Sequence, residues 1–489
     1  MNYTVLDCYT DEASGLGVPP YLGTYPRYIF GMLKSQGISP SYITIDDVRL
    51  CKHYEGKRKP LEQEEKTNIR IYNTTRENVA KILFDTNVLI VVLGVHVPGK
   101  YLSAMPGTLH ELVPFISDLR CKKILTGPAI FGTQLEGGKF FEKTQMNIFD
   151  EVKNFGFEFG GFEKLQNYAL LGTGIVKQIP DLRVIEIETG RGCNIGKCSF
   201  CTEPLKNKFV NRKTEEILEE VKEYYNKGCR YFRLGKQSDF YSIEDPIGLL
   251  KGIRKECPDI KVLHIDNVNP VFVVAPGGIE KTKAVALYCT EGNVAAFGVE
   301  SFDPDVVKAN KLNCTPETAM KAIRIINELG SARGETGMPK FLPGINIIFG
   351  LGKESRDTNK YNIEALTKIY NEGLLLRRIN IRQAAILPDT LMEKEFGARS
   401  LNRNKKYYWK WRNEIRQKID FPMLQRLVPK GTVLSEVYAE IYDGKTTFGR
   451  QIGTYPLIVG IKGRLPLKRF NKVNIIDHML RSVTGEIVN

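Results

Sequence analysis

Two rhythms of apolar and polar positions divide the chain. Up to about residue 395, short apolar runs alternate with segments whose apolar residues recur every three or four positions. Beyond about 430 only short, glycine-punctuated apolar runs remain. The first rhythm is that of strands separated by helices, and the second that of a small all-β module. Tyr3-Thr-Val-Leu-Asp7 reads as a strand, 26–34 as a helix stopped near Gly37, and Ser41-Tyr-Ile-Thr-Ile-Asp46 as a second strand. The continuous apolar run 87–94 is expected of a central parallel strand covered on both faces. A helix over 109–119, a strand over 123–126 and another over 155–159 complete a doubly wound, Rossmann-like α/β domain at 1–175. Ligands of such a sheet sit beyond the carboxyl ends of its strands.

From 180 to 395 the alternation continues with longer units. The strand 184–188 is followed by a helix over 214–227 that opens on a Thr cap with Glu residues in its first turn. Further strands are expected at 230–235, 262–266, 295–300, 344–350 and 379–383. Six strands separated by helices, with polar residues at their carboxyl ends, suit a β/α barrel or partial barrel. The remainder, 396–489, reads as a basic, aromatic helical segment followed by a small β-barrel over 431–486.

The densest chemistry lies directly after the strand 184–188, in Thr189-Gly-Arg-Gly-Cys193-Asn-Ile-Gly-Lys-Cys198-Ser-Phe-Cys201. Three thiolates so spaced can hold three irons of a 4Fe–4S cluster and leave the fourth open to a substrate. A structural zinc site would want a fourth N or S ligand, and no histidine lies near the loop. The order Arg-Gly-Cys…Cys-x-Phe-Cys resembles the cluster loop of radical S-adenosylmethionine (SAM) enzymes. Four residues separate Cys193 from Cys198, where the common spacing is three.

That resemblance implies a partial (β/α)6 barrel, which the six strands fit, and roles for further residues. Gly235, Gln237 and Asp239 of Leu234-Gly-Lys-Gln-Ser-Asp239 fall where the family meets the amino group of SAM. Glu300 and Ser301 of Gly298-Val-Glu-Ser301 match its ribose-facing Gly-x-Glu-Ser. For Glu300 the plain alternative is a carboxylate in a structural pair. Phe349-Gly-Leu-Gly-Lys-Glu354 resembles the family's Gly-Leu-Pro-Gly-Glu turn with Lys353 in place of a glycine, and Gln383 ends its last strand. The implied chemistry is one-electron cleavage of SAM to a 5′-deoxyadenosyl radical, with electrons from an external reductant.

The first domain resembles the cobalamin-binding domain attached to many such enzymes. Pro19-Pro-Tyr-Leu-Gly23 matches its opening, Thr126-Gly127-Pro128 its Gly-Gly-Pro loop, and Phe159-Gly-Gly161-Phe-Glu163 its Gly-Glu-Gly-Glu segment. The Asp-x-His-x-x-Gly motif that puts a histidine beneath cobalt is absent. His96 follows the central strand and is the candidate ligand, its ordinary alternative being a hydrogen-bonded loop residue. Together these features imply a cobalamin-dependent methyltransferase acting at an unactivated carbon and resembling enzymes of methanogenic archaea, some of which methylate methyl-coenzyme M reductase. A methylthiotransferase for tRNA or protein is the rival, with a second cluster on Cys8, Cys51 and Cys121. An iron–sulfur RNA-binding protein without catalysis is the rival of another class.

Composition narrows the setting. The net charge of +14 asks for an acidic partner. A protein substrate is favoured, with RNA as the alternative. The basic and aromatic stretch 402–418 would stack bases if it met RNA, but reads first as a helix packed by its aromatics on the barrel. Ten scattered cysteines suit a reducing cytoplasm better than a disulfide framework. No apolar run reaches the ~20 residues of a membrane span, and the start Met-Asn-Tyr-Thr-Val-Leu-Asp predicts no secretory leader.

Overall fold

The structure, a computed structural model, describes residues 1–9, 21–53, 78–94, 106–131, 133–134, 142–143, 147–157, 162–180 and 184–488. The chain divides into two compact units. One comprises Met1–Ile187, Glu215–Tyr231 and Ile441–Gly444; the other comprises Glu188–Thr214, Phe232–Glu440 and Lys445–Asn489.

In the first unit, β1 (Tyr3–Asp7), β2 (Ser41–Thr44), β3 (Val88–Val92), β4 (Lys122–Thr126) and β5 (Glu151–Val152) form one parallel sheet in the order β2-β1-β3-β4-β5. All five residues of β3 are buried, as its unbroken apolar run requires. Strand order reverses between β1 and β3, so the crevice where such sheets bind ligands lies beyond the carboxyl ends of these two strands. Most of the two loops that follow them, with His96, lies outside the described residues.

Two expectations need correction. The second strand stops at Thr44, because Asp47 Oδ2 accepts from the Thr44 amide (2.7 Å) and Asp47 N–H donates to Thr44 Oγ1 (3.2 Å). This reciprocal cap opens the helix Ile45–His53 and puts Cys51 inside it, not after a strand. The strand expected at 155–159 lies earlier, at β5. Phe155 and Phe157 alternate like strand residues, but Phe157 instead packs its ring among Tyr25, Tyr28 and Tyr168, with centroids 5.4–6.3 Å away.

The helices Thr24–Ser35 and Glu163–Gly172 cross without room for a methyl group. A Cβ on Gly31 would lie 1.9 Å from the Tyr168 carbonyl oxygen, and one on Gly172 would lie 2.4 Å from that of Arg27. Gly31→Ala is therefore expected to cost about 1–3 kcal/mol through overpacking, despite the better helix propensity of alanine. Thermal unfolding would check it, and an unchanged or higher melting temperature would contradict the tight crossing.

The same unit contains a buried ion pair. Arg27 Nη1 donates to Glu220 Oε1 (2.6 Å) and to the Tyr224 hydroxyl (3.1 Å), and Arg27 Nε donates to the Gly23 carbonyl (2.8 Å). The side chains of Arg27 and Glu220 are both 0% exposed.

β6 (Val184–Glu188) ends at the boundary, and its final Glu188 belongs to the second unit. There β7 (Tyr231–Gly235), β8 (Val262–Ile265), β9 (Asn293–Glu300), β10 (Phe341–Phe349) and β11 (Arg378–Gln383) follow in sequence order. Thr189 N–H donates to the Gly235 carbonyl, Asp266 N–H to that of Leu234, and Val268 N–H to that of Ala296. β9, β10 and β11 are parallel neighbours. This arc is the expected partial barrel.

The expected C-terminal β module is a closed barrel. β12 (Val433–Asp443), β13 (Thr446–Gln451), β14 (Leu457–Lys462), β15 (Phe470–His478) and β16 (Val483–Ile487) run in the order β12-β13-β14-β16-β15, with β14 and β16 parallel. This is the strand order of an OB-type barrel. In the preceding helical segment Trp411 is buried against Phe349 and Tyr407, at ring distances of 5.2 and 5.6 Å. Trp409 is 61% exposed. The segment buries Trp411 together with Leu401, Ile415 and Ile419.

Candidate functional site

The carboxyl ends of the arc gather polar chemistry. Beyond β6, Gly190–Arg191 pairs antiparallel with Val210–Asn211, and the three cysteines lie in the loop between. Gly192 needs its left-handed φ of +78°, since a Cβ would meet the Lys208 carbonyl oxygen at 2.4 Å. Its amide donates to Glu203 Oε1 at 3.0 Å.

The loop is pinned from below. Ser199 donates from its amide (2.9 Å) and hydroxyl (2.8 Å) to Asn310, whose side chain also bonds both ways with the Gly352 backbone. Cys198 and Phe200 rest on an apolar cluster around Val306, Leu351, Met392 and Leu401.

Two of the sulfurs accept from backbone amides. The Gly196 amide donates to Cys193 Sγ (3.3 Å) and the Glu203 amide to Cys201 Sγ (3.4 Å). Burial, reinforced by Cys201, pushes the Cys198 thiol up to about 12; burial pushes Cys201 up to about 11. Both are therefore protonated thiols near neutrality until a cation displaces the protons. Among the described residues no three His, Cys, Asp or Glu side chains are grouped to hold a single metal ion. A cluster makes no such demand, because each thiolate takes its own iron.

Opposite the loop stands Glu300, at the end of β9 with φ +64° and beyond a register shift after Phe297. It is buried, its Oε2 has no hydrogen-bond partner, and its negative charge raises the Cys198 and Cys201 thiols. Burial pushes Glu300 up to about 7, with Arg382 pulling the other way. An orphaned buried carboxylate is costly unless a ligand supplies donors. Ser301 Oγ accepts from the Asp303 amide (3.1 Å).

At β7, Thr189 Oγ1 donates to Gln237 Oε1 (2.6 Å), and Gln237 Nε2 has no partner. Asp239 Oδ1 accepts from the Asn269 amide (2.7 Å), and burial pushes its carboxyl up to about 7. Lys236 directly after β7, Glu300 ending β9 and Lys353 in the turn after β10 all adopt positive φ. Lys353 holds the left-handed conformation (φ +64°) that the family's glycine would take. Such strain concentrates at functional sites. Gln383, half-buried, is level with Phe349.

The second unit thus gathers the three cysteines with Glu300, and Thr189 with Gln237. Sequence reasoning missed Thr189, Asn310 and Arg382. Only the position of Thr189, directly after a strand, offered a signal.

In the first unit, Gly127 (φ +87°) and Pro128 follow β4. A Cβ on Gly127 would meet the Leu93 carbonyl oxygen at 2.5 Å, so packing of neighbouring strands already requires this glycine. Thr126 Oγ1 at that end is buried without a hydrogen-bond partner. His96 and Gly161 lie outside the described residues.

The raised Glu300 carboxyl sets a pH dependence. Unfolded it ionises near 4.5 and folded near 7. Its neutral form therefore favours the fold fully below about 4.5, and this contribution is lost as pH rises through about 7. Glu300→Gln is expected to flatten the fall in melting temperature between pH 5 and 8. An unchanged slope would mean that Glu300 does not titrate there.

Residues 187–357 match the radical SAM superfamily. An uncharacterised protein of Methanocaldococcus jannaschii is 39% identical over 99% of this chain and 93% of its own length. One from Archaeoglobus fulgidus is 38% identical over 99% of this chain and 90% of its own. Among solved structures, the radical SAM methyltransferase TsrM of Kitasatospora setae, with cobalamin and a 4Fe–4S cluster bound, aligns at 13% identity and a TM-score of 0.48. That alignment covers 80% of this chain and 73% of TsrM.

Proposed function

We propose that this chain, which belongs to the radical SAM superfamily, is a cobalamin-dependent methyltransferase acting at an unactivated carbon of a protein side chain. The observation that carries the reading is the three-cysteine loop set against the orphaned Glu300 carboxylate, in a chain that also bears a ligand-binding type of parallel sheet. Cys193, Cys198 and Cys201 would hold the cluster, Gln237 and Glu300 would bind SAM, and the loops after β1 and β3 would receive cobalamin. When bound, the cluster delivers an electron from an external reductant to cleave SAM, and cobalamin supplies the methyl group.

The chain's own residues do the positioning. The Gly196 and Glu203 amides stabilise charge on sulfur, and Asn310 fixes the loop. An apolar bed lies under Cys198. Glu300 Oε2 offers an acceptor for ribose hydroxyls. Methyl-coenzyme M reductase is the candidate protein with which substrate assays would begin.

Methylthiolation is disfavoured by register. Cys8 follows β1 at the level of Leu93, and Cys121 precedes β4 at the level of Asn87. Six residues of strand separate those levels, about 20 Å, too far for one cluster. All three thiols of that set belong to or pack on a single apolar core.

The test is anaerobic reconstitution with iron, sulfide and hydroxocobalamin, followed by counting. About four irons and one cobalamin per chain would support the reading. About eight irons without cobalamin would overturn it.

A further inference from the structure

On β11, Arg378, Asn380 and Arg382 share one face, while Ile379 and Ile381 are buried on the other. With the Asn380 amide turned to suit its neighbours, its oxygen accepts from Arg382 Nε (2.7 Å) and Nη2 (3.0 Å). Arg382 thereby lies within the field of Glu300 at the mouth. About 13 Å further down the strand, Arg378 lies over the Tyr455 ring, 4.4 Å from its centroid.

Tyr455 belongs to the turn between β13 and β14, held by Thr454 Oγ1 on Asn293 Oδ1 (3.1 Å), and Arg377 donates to the Tyr455 carbonyl. Arg416 donates to the Ile379 carbonyl (2.7 Å) and pairs with Asp420. Arg481, at the turn between β15 and β16, completes the group.

Two of these five cations have partners, Arg416 on Asp420 and Arg382 on Asn380. The strongest neighbours of Arg378 are Tyr455 and three other arginines. Asp420 acts on Arg377 and Arg481 while already paired with Arg416. Arg377 and Arg378 are each held down to about 10, by burial first and by neighbouring guanidiniums. The Nε atoms of Arg377, Arg378 and Arg416 are buried without a hydrogen-bond partner, and the Arg416 side chain is only 4% exposed. Orphaned buried donors are costly unless an anion meets them.

We propose that the arginines on and around β11 bind an oxyanion, a phosphate or a carboxylate, carried by the substrate. This rests on the methyltransferase reading, and it names the substrate as acidic. The planar fork of arginine fits either group with two parallel hydrogen bonds, which lysine cannot do.

The experiment is calorimetric titration of the full-length protein at fixed ionic strength, with inorganic phosphate in one arm and glutarate in the other. One probe should bind, and Arg378→Gln and Arg382→Gln should each weaken it at least about tenfold. Lys410→Gln, on the exposed face of the neighbouring helix, should change nothing. Preference for phosphate assigns a phosphorylated protein residue, and preference for glutarate an acidic one; each supports the site.

Binding of neither probe, or equal binding by the variants, would overturn the site. Should Arg378→Gln fail to fold, Arg378→Lys keeps the charge without the fork and should still weaken the probe. Cys198→Ala should bind the probe as the wild type does. A wild-type chain that cleaves no SAM yet binds an anion through these arginines would sink the methyltransferase reading and leave this site standing.

Discussion

Cys198→Ala protein, reconstituted anaerobically, is expected to lose its iron and to release no methionine from SAM. Cys198 is the middle thiol of three and is pushed up to about 12 by burial and by Cys201. Its proton leaves only in exchange for a cation, and alanine offers no sulfur to hold one. Losing a partner outside the metal's own ligands already costs about 10–100-fold, so loss of a ligand should exceed that. The first unit contains none of the loop, so cobalamin binding should survive. Iron analysis, methionine release and cobalamin absorbance on one sample would decide. Loss of iron and cobalamin together would mean that the loop supports the fold, not the chemistry.

Glu220→Ala should destabilise the first unit by about 3–5 kcal/mol, the cost of leaving one partner of a buried pair uncompensated. Arg27 and Glu220 are both 0% exposed, and Arg27 also holds the Gly23 carbonyl and the Tyr224 hydroxyl. Removing the carboxylate strands a guanidinium that cannot deprotonate. Chemical denaturation followed by far-UV circular dichroism would measure the effect. Tyr224→Phe, which removes one neutral hydrogen bond, should cost only about 1 kcal/mol. Equal losses in the two variants would refute the view that the charge pair dominates.

The sequence displayed the elements whose cause is local. The apolar run of β3 and the alternating strands of the arc announce themselves, because a covered parallel strand must be apolar and a helix must bury one stripe. It misled where local patterns compete. Ser41-Tyr-Ile-Thr-Ile-Asp46 alternates like a strand to its end, yet the Thr44–Asp47 cap turns the chain into a helix. Phe155 and Phe157 alternate too, but rings from two helices draw Phe157 out of any ladder.

The cysteine loop was legible for the same reason of locality. Its three thiols lie within nine residues, so their spacing is a property of one segment. The family resemblance gave Glu300 and Gln237 their expected places. It could not show that Oε2 and Nε2 would be left without partners, since that depends on what every neighbouring strand places nearby.

By itself, then, the sequence determined the layers, the cluster loop and the family, all written in contiguous residues. Only the tertiary structure decided that Arg27 meets Glu220, that Cys8 and Cys121 sit at opposite ends of one sheet, and that arginines 377 to 481 crowd around Tyr455. Burial and the pairing of distant charges are sums over the whole packed unit, and no window of sequence contains them.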